Sequence, residues 1–423
     1  MKRLLEIFEA LNRTKRGSGD SAEAFRFLVD FCERSGAQTQ SDRAHNILAI
    51  VGDGGRICLQ AHYDMVALGD QPPTIKRDGD WLHAANGTLG ADNGIGVALM
   101  LTLIAQGRAG EYLFTSDEEI GLNGARALEA LPKAKMLLNL DSETEGEITI
   151  GCAGGADYTL TRSLKEIAID HTRFRAVKIT AKGCEGGHSG VDIDRGIASA
   201  LVEICRTAKE HGGSLISLDG GERNNAIARN ATAVALFAID TVLRETKHTT
   251  IEPIQTPKTA YALDETLTAA LAAVPHGVIS RDPRYSVVER SCNFARAQTD
   301  YDRLTLTLFA RGNSPDALEA NDAVIALFAA NNGFDLRCDG RYSSWQPKES
   351  LFAKEIEAVM RSERVAPKYG VIHAGLECGV LGEKLPSVQM VSIGPTIEAP
   401  HSYGERVFVP SIDRLLRVVQ LLL

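Results

Sequence analysis

The apolar segment at residues 59–66, LQAHYDMV, carries a histidine and an aspartate where a buried strand should continue with apolar side chains. His62 and Asp64 are two positions apart, so in a strand they lie on the same face. The carboxylate can then hold one nitrogen of the imidazole ring while the other nitrogen faces a metal ion. Because a His-x-Asp pair also arises often by chance, this pair alone is weak evidence for a functional site.

Acidic residues follow or open three other apolar segments. TSDEEIG places Glu118 and Glu119 after the segment EYLFT, and MLLNLDSE places Asp141 after another. Asp92 opens the stretch GADNGIGVALM, whose glycines allow close approach of the backbone. Each has an ordinary alternative: a solvated acidic turn for the glutamates and a helix N-cap for Asp92. Ligands of open α/β sheets, however, bind at the carboxyl ends of strands.

A second histidine, His401, lies in the loop TIEAPHSYGE after the apolar segment VQMVSIG. A loop histidine by itself is usually a surface residue. Together, however, five separate segments offer two histidines and three carboxylates as possible ligands. Such mixed ligation suits zinc, manganese or cobalt, and a shared carboxylate can hold two such ions close together.

The elements that must position these residues alternate between helical and strand patterns up to about Gly155. Short apolar runs predict strands at residues 46–51, 57–61, 112–115 and 136–140. Continuous apolar strands between helices indicate a mainly parallel sheet with helices on both faces. The sequence therefore predicts an α/β catalytic domain.

After Gly155 the pattern changes to that of a second domain. It predicts strands at residues 174–181, 233–239, 287–297 and 303–309, and helices near 196–211 and 314–331. This order suits a smaller α+β domain with helices on one face, inserted into the first domain. The polar segment 244–259 contains two prolines and is predicted to be a loop. The predicted domains are a di-metal catalytic domain at 1–157 and 345–423 and a lid domain at 158–344.

Composition and charge exclude several classes of function. The chain of 423 residues has 55 acidic and 46 basic residues, a net charge of −9 and no basic cluster, so nucleic acid is not expected as a partner. The longest apolar run, VALMLTLIA, is too short to cross a membrane, and we expect a cytoplasmic protein without a membrane partner. The eight cysteines form no CxxC pair, which argues against a zinc ribbon and a disulfide framework.

The order of these motifs resembles the bacterial aminoacyl-histidine dipeptidases, also called peptidase D, of the dinuclear zinc dipeptidase and aminopeptidase families. The matching segments read HYDMV, GTLGADNGIG, DEEIG, NLDSETEGEITIGCAGG, GGHSG, IHAGLECG and MVSIGPTIEAPHS. GCAGG and IHAGLECG are specific to this branch. The resemblance implies a small-peptide substrate, two divalent metal ions and a homodimer formed through the lid domain.

The resemblance also implies a ligand set, position by position. His62 and Asp141 would hold one ion, and Glu119 and His401 would hold the other. Asp92 would bridge the two ions. The implied metal is zinc, with manganese and cobalt as the alternatives.

The resemblance gives roles to five more residues. Asp64 would orient the ring of the first histidine, and Glu118 would be the general base that takes a proton from the water between the ions and later gives it to the leaving amine. His188, in the glycine-rich GCEGGHSG, would stabilise the tetrahedral oxyanion, either in its own chain or in a partner subunit. Asn225 would lie near the substrate carboxylate, and Glu377 would bind the substrate's amino group.

The leading hypothesis is a two-metal dipeptidase that acts on unblocked dipeptides such as Xaa-His. The alternatives are an N-acyl amino acid amidohydrolase and a tripeptide aminopeptidase of the same clan. A non-catalytic metal-binding or scaffold protein is a different class, and the presence of Glu118 and Asp64 argues against it, because a structural site needs no general base. A di-iron redox protein would need Glu-x-x-His pairs on bundle helices, and no such pair falls in a predicted helix.

Overall fold

The computed structural model describes residues 1–69 and 71–423, and the chain divides into two compact units. Unit 1 consists of Met1–Cys152, Trp345–Val371 and Leu376–Leu423. Unit 2 consists of Ala153–Ser344 and the short segment Ile372–Gly375. The first boundary lies before the predicted position at 157/158, because the strand Gly154–Ser163 pairs along its length with strands of unit 2.

The part of unit 1 that precedes unit 2 contains both helices and strands. The helices are α1 (Lys2–Asn12), α2 (Ala22–Arg34), α3 (Ala91–Ala105) and α4 (Asn123–Ala127). The strands are β1 (Gln38–Ser41), β2 (Ile47–Val51), β3 (Ile57–His62), β4 (Ile75–Asp78), β5 (Trp81–Ala84), β6 (Gly110–Thr115), β7 (Met136–Asn139) and β8 (Glu147–Cys152).

Unit 2 is richer in strands. They are β9 (Gly154–Ser163), β10 (Lys165–Ala168), β11 (Phe174–Ala181), β12 (Gly187–His188), β13 (Ser214–Gly220), β14 (Ala226–Ile227), β15 (Ala231–Ala238), β16 (Thr249–Pro253), β17 (Thr259–Ala262), β18 (Gly277–Asp282), β19 (Val287–Asp300), β20 (Arg303–Gly312) and β21 (Asp335–Tyr342). The helices are α5 (Ala200–Glu210), α6 (Glu265–Leu271) and α7 (Pro315–Asn331), with a 3₁₀ turn at Ile193–Arg195.

The chain then returns to alternating helices and strands. These elements are α8 (Leu351–Ser362), β22 (Lys368–Ile372), α9 (Glu377–Lys384), β23 (Gln389–Ser392), β24 (Ile397–Glu398), β25 (Arg406–Phe408) and α10 (Val409–Leu422).

The main sheet of unit 1 has eight strands in the order β1-β2-β6-β3-β7-β23-β8-β22. Its four central strands β6, β3, β7 and β23 are parallel. The pairs β1–β2, β2–β6 and β23–β8 are antiparallel. The sheet is therefore mixed, and the predicted mainly parallel arrangement applies only to its centre. Residues 42–46, which join β1 to β2, are too few for the crossover that a parallel neighbour requires.

Helix α3 is the most deeply buried helix of unit 1. Its residues from Ala91 to Ile104 are buried, and it contacts α1, α2, α10 and β3. A helix that is apolar on all sides needs such cover around its whole circumference. Separately, α4 and α9 contact each other. In the described part of the chain, no helix is both long and apolar enough to span a membrane.

Unit 2 contains a nine-stranded sheet in the order β16-β11-β15-β13-β19-β20-β9-β21, with β18 paired to β19. Helices α5, α6 and α7 share one core with the sheet, including Ile204, Leu267 and Ile325. The loop predicted at 244–259 is wrong in part, because β16 pairs antiparallel with β11 and forms an edge of the sheet.

Candidate metal centre

The carboxyl ends of the parallel strands carry most of the predicted chemistry. β3 ends at His62, and the loop after β6 carries Glu118 and Glu119. β7 is followed by Asp141, and β23 leads towards the loop that carries His401. Because parallel strands end at the same edge of a sheet, these side chains can meet there.

Asp92 joins them from the start of α3, and it does not cap the helix. The N-cap is Gly90, which has a left-handed backbone with φ 66°, and neither Asp92 nor Asn93 has helical backbone angles. The peptide bond between Asp92 and Asn93 is cis. Asn93 Nδ2 donates to Leu140 O at 2.9 Å and to the Asp141 carboxylate. Asp92 is therefore not the N-cap residue of α3.

Two groups of donor atoms share the carboxylate of Asp92. His62 Nε2 lies 3.1 Å from Asp92 Oδ1 and 3.2 Å from Asp141 Oδ1. His401 Nε2 lies 3.0 Å from Asp92 Oδ2 and 2.9 Å from Glu119 Oε1. One oxygen of Asp92 thus belongs to each group, which is the arrangement that a bridging carboxylate needs.

The spacing within each group fits a metal ion with nitrogen and oxygen ligands. With metal–ligand bonds of about 2.0–2.1 Å, the ligands of a tetrahedral ion lie roughly 3.3 Å apart, close to the separations observed. In addition, Glu119 Oε1 is buried, and the contact with His401 Nε2 at 2.9 Å is its polar contact among the described residues. The residues present therefore fit a pair of divalent ions.

Buried acidic groups crowd this site. Burial raises the pKa of Asp141 to about 6 despite the attraction of His62. Burial, then repulsion from Asp92 and Asp141, raises the pKa of Glu143 to about 8. Burial lowers the pKa of His62, but the neighbouring carboxylates outweigh it and hold that pKa well above its usual value. A bound cation would relieve the repulsion among the carboxylates.

Asp64 is buried and is held by several donors. Its Oδ1 lies 3.4 Å from His62 Nδ1, which is longer than a normal hydrogen bond. Ser18 Oγ donates to Oδ2 at 2.7 Å, and the backbone amides of Glu118 and Glu119 donate to the carboxylate at 3.1 and 3.4 Å. Asp64 thus connects the ring of His62 with the loop after β6.

Glu118 lies beside the ligand groups. It can contribute an oxygen to a set with His62 and Glu119 in which the donor atoms all lie within 4.8 Å of one another. Burial raises the pKa of Glu118 well above its usual value; His62 lowers it, and Glu119, Asp141 and Glu377 raise it. Its position and environment suit a proton acceptor.

Glu405, which sequence reasoning missed, supports the backbone at the start of α3. Its carboxylate accepts hydrogen bonds from Gly90 N at 2.9 Å, Ala91 N at 2.7 Å and Asp92 N at 3.3 Å. Glu405 follows His401 by four positions, but nothing in that spacing indicates a contact with the distant helix terminus.

Arg16 was also missed, and it joins two of the segments that carry the site. Its guanidinium donates to Tyr63 O at 3.2 Å, to Asp64 O at 3.4 Å and to Gly90 O. Asn12 Oδ1 accepts from both Nε and Nη2 of Arg16, at 3.0 and 2.7 Å. An arginine just after an amphipathic helix reads as a surface residue, so no local pattern pointed to it.

Glu377, predicted to bind the substrate's amino group, is fully buried at the start of α9. Its Oε2 accepts hydrogen bonds from Gln60 Nε2 and, at 2.8 Å, from Thr115 Oγ1. Its Oε1 makes no hydrogen bond within the part of the chain that the structure describes. Burial raises the pKa of Glu377 to about 7. The structure thus places this carboxylate against β3 and β6, with one oxygen still able to accept a donor.

Within unit 2, His188 and Asn225 lie on neighbouring segments. β12 pairs with β14, and Ser189 N donates to Asn225 O at 2.8 Å. His188 Nδ1 accepts from the amides of Gly190 and Val191 at 3.3 and 3.2 Å. In the neutral ring the proton is therefore on Nε2, which makes Nε2 the donor.

A buried arginine that sequence reasoning also missed lies near His188. Arg311 Nη1 donates to Tyr342 Oη at 2.7 Å, and its Nε has no hydrogen-bond partner among the described residues. A Cβ at Gly190 would lie 3.1 Å from His188 Cε1 and 3.2 Å from Arg311 Cζ. Both side chains therefore border the same glycine. A guanidinium with an unused donor suits a carboxylate.

Comparisons with known proteins show the family to which this chain belongs. The sequence profile of peptidase family M28 matches residues 46–189. The cytosol non-specific dipeptidase of Escherichia coli (strain K12) is 32% identical over 97% of this chain and 94% of its own length. This chain belongs to that dipeptidase family. The resemblance noted in the sequence is thus confirmed.

Solved structures extend the dipeptidase comparison to the fold. Aminoacylhistidine dipeptidase from Vibrio alginolyticus has a TM-score of 0.81 and 30% identity, over 99% of this chain and 96% of that one. An aminopeptidase from Bacillus cereus has a TM-score of 0.61 and 16% identity, over 99% and 96% of the two chains. At that identity, the second likeness shows a shared fold only.

The variant Gly90→Ala tests how closely the start of α3 is packed. A Cβ at Gly90 would lie 2.1 Å from Arg16 Nη2. Gly107 has a similar φ, 68° against 66°, but nothing within 4 Å of its Cβ position, so Gly107→Ala controls for left-handed strain alone. We expect Gly90→Ala to lower the free energy of unfolding by about 1–3 kcal/mol more than Gly107→Ala does, as measured by urea denaturation. Equal losses would mean that Arg16 moves aside without cost.

Proposed function

We propose that this chain hydrolyses unblocked dipeptides, including Xaa-His, at a dinuclear metal centre. The observation that carries the proposal is the sharing of Asp92 between two groups of histidine and carboxylate donors. Relatives named cytosol non-specific dipeptidase and aminoacylhistidine dipeptidase support the reaction class. The chain is a metal-dependent dipeptidase, and the ligand assignments, general base and substrate preference below are proposals.

In the proposed centre, each ion would be held by one histidine and one carboxylate of its own, and both would share Asp92. His62 and Asp141 would hold the first ion, and Glu119 and His401 would hold the second. This donor set suits zinc, with manganese and cobalt as alternatives. Two bound ions would polarise the scissile carbonyl and lower the pKa of the attacking water.

Glu118 accepts the proton of the attacking water and then delivers it to the leaving amine. The support is its place beside His62 and Glu119 and the hydrogen bond at 3.1 Å that ties its backbone amide to Asp64. A carboxylate fixed by its backbone next to the reacting atoms can serve both proton transfers in turn.

His188, Asn225 and Arg311 recognise the substrate in this proposal. Nε2 of His188 donates to the oxyanion that forms on the substrate carbonyl, because Nδ1 is already engaged by two backbone amides. Asn225 and Arg311 bind the substrate's carboxylate; the buried Arg311 has a donor without a partner among the described residues. The role of Glu377 in binding the substrate's amino group stays a prediction. Whether His188 acts in its own chain or in a partner subunit, and the cytoplasmic location, are predictions as well.

Glu118→Gln tests the general base. We expect kcat to fall by roughly 10² to 10⁴, the contribution of a positioned general base, while elemental analysis still finds two ions per chain in both wild type and variant. Asp92→Ala is the matched comparison, because loss of the bridging ligand should remove both ions. Near-normal turnover of Glu118→Gln would assign the proton transfers to another group.

A panel of four substrates tests the proposed preference. We expect the highest kcat/KM for Gly-His and Ala-Leu, and a kcat/KM lower by about tenfold or more for an N-acetyl amino acid. The acyl group would leave Glu377, the predicted acceptor for the substrate's amino group, unpaired at a cost of about 1–3 kcal/mol. The fourth substrate is a tripeptide. Faster cleavage of the acetylated compound would identify an N-acyl amino acid amidohydrolase, and equal rates on the tripeptide would identify an aminopeptidase.

The proposed homodimer forms through the edge of the nine-stranded sheet. β21 is the outermost strand beside β9, and all its residues before Tyr342 are exposed. Next to it, α7 exposes Val324 by 40% and Leu327 by 62%, and Leu336 of β21 is 38% exposed. An open edge strand beside exposed apolar side chains is a surface that a second copy can cover by strand pairing.

Cys338 gives a direct test of this interface. It is the exposed cysteine near the middle of β21, and the other seven cysteines are buried. Two β21 strands that pair antiparallel with the two-fold axis near the middle of the strand would bring the two Cys338 side chains close together. We expect a short bismaleimide to link two chains of the wild type, but not of Cys338→Ser. A wild type that sediments as a monomer would contradict the dimer, as would links that persist without Cys338.

A further inference from the structure

We propose that Glu405 and Arg16 are positioning residues that together fix the backbone of residues 90–92, and through it the bridging carboxylate of Asp92. The inference rests on the dinuclear centre proposed above. Neither side chain hydrogen-bonds to a candidate ligand side chain among the described residues. Their contacts are with the backbone segments from which the ligands project, so they act through Asp92 and His62.

Glu405 supplies the hydrogen-bond acceptors that the first amides of helix α3 lack within the helix. The first amides of a helix have no acceptor within the helix, and here Asp92 and Asn93 also depart from helical geometry. The single carboxylate of Glu405 accepts from Gly90 N, Ala91 N and Asp92 N at 2.7–3.3 Å. Rotation of the backbone at Asp92 would break at least one of these hydrogen bonds, so Glu405 restrains the direction in which the bridging carboxylate points.

Arg16 sets the distance between that segment and the end of β3. Its guanidinium donates to Gly90 O on one segment and to Tyr63 O and Asp64 O on the other. Tyr63 directly follows His62, the proposed ligand of the first ion. One rigid, planar group therefore spans the two backbones that present His62 and Asp92.

The glycines of GADNGIG have a specific use in this arrangement. A Cβ at Gly90 would lie 2.1 Å from Arg16 Nη2, and a Cβ at Gly94 would lie 2.7 Å from the same atom. Both positions leave room for the guanidinium. Its Nη2 and Nε also donate to Asn12 Oδ1, at 2.7 and 3.0 Å. Arg16 and Glu405 are each 2% exposed, so truncation of either leaves its partners unpaired in the interior.

Two conservative variants weaken these contacts without removing a ligand. In Glu405→Gln, an NH₂ group replaces one acceptor oxygen, so at least one of the three backbone amides loses its partner. In Arg16→Lys, the charge is kept, but the fork that reaches both segments is lost. Groups that orient metal ligands typically change metal affinity or activity by about 10–100-fold when they are substituted.

The test is a titration of the metal-free protein with Zn²⁺ in the presence of a competing chelator. We expect Glu405→Gln and Arg16→Lys to bind Zn²⁺ about 10–100-fold more weakly than wild type, and to show a lower kcat with little change in KM at saturating Zn²⁺. Matched controls are Glu398→Gln and Arg13→Lys, which alter exposed ion pairs and should leave both measurements unchanged.

Thermal unfolding of the metal-free variants separates positioning from simple stability. A lower melting temperature with wild-type Zn²⁺ affinity and kcat would mean that the pair only stabilises the fold, and would overturn the inference. Wild-type values throughout would overturn it as well. If Glu405→Gln does not fold, the same titration of Arg16→Lys decides. A wild type that binds fewer than two ions would contradict the proposed dinuclear centre instead, so the two failures are distinct.

Discussion

Repulsion among buried carboxylates at one edge of the sheet is the constraint on which the rest of unit 1 depends. Burial of charged groups is costly unless they are paired, and like charges in one site raise each other's pKa. Asp92, Asp141 and Glu119 face two histidines, whereas Arg16, the nearby buried cation, donates to backbone carbonyls. In the proposed centre, divalent cations would neutralise these carboxylates.

Several residues of the site have backbone conformations that are locally unfavourable for their residue type. Asp117, directly before the Glu118–Glu119 pair, has φ 50°, and His401 has φ 58°. Residues other than glycine adopt this left-handed region at a cost, and such residues cluster at functional sites. Likewise, Asp92 and Asn93 have non-helical backbone angles inside the first turn of α3. The side chains of the site are held where they are by contacts outside their own elements.

The strand-end positions of the candidate ligands could be predicted from the sequence because their signal is local. An apolar run that stops at His62, or just before Asp141, marks both the strand and the edge where it ends. Arg16 and Glu405 carry no such signal, since the backbone groups that they contact lie 47 to 74 and 313 to 315 positions away in the chain. Long-range contacts of this kind depend on the packed fold rather than on any local pattern.

The errors in the predicted fold have a related cause. Apolar runs identify covered strands but do not give the direction of their neighbours, so the antiparallel margins of the main sheet were not foreseen. β16 was missed because an edge strand pairs on one side only and tolerates a polar sequence that ends at Pro253. Both features become visible only when strands are placed side by side.

The metal centre by itself does not decide the length of the substrate. The fold is shared with a peptidase named for a different activity, so the fold leaves specificity to particular residues. A group that binds the free carboxylate limits the number of residues after the scissile bond, and a group that binds the free amino group limits the number before it. Only both constraints together restrict cleavage to dipeptides. The buried Arg311, with its unpaired Nε, is suited to the first constraint, so differences around His188 and Arg311 should separate dipeptidases from other peptidases of this fold more sharply than differences among the ligands.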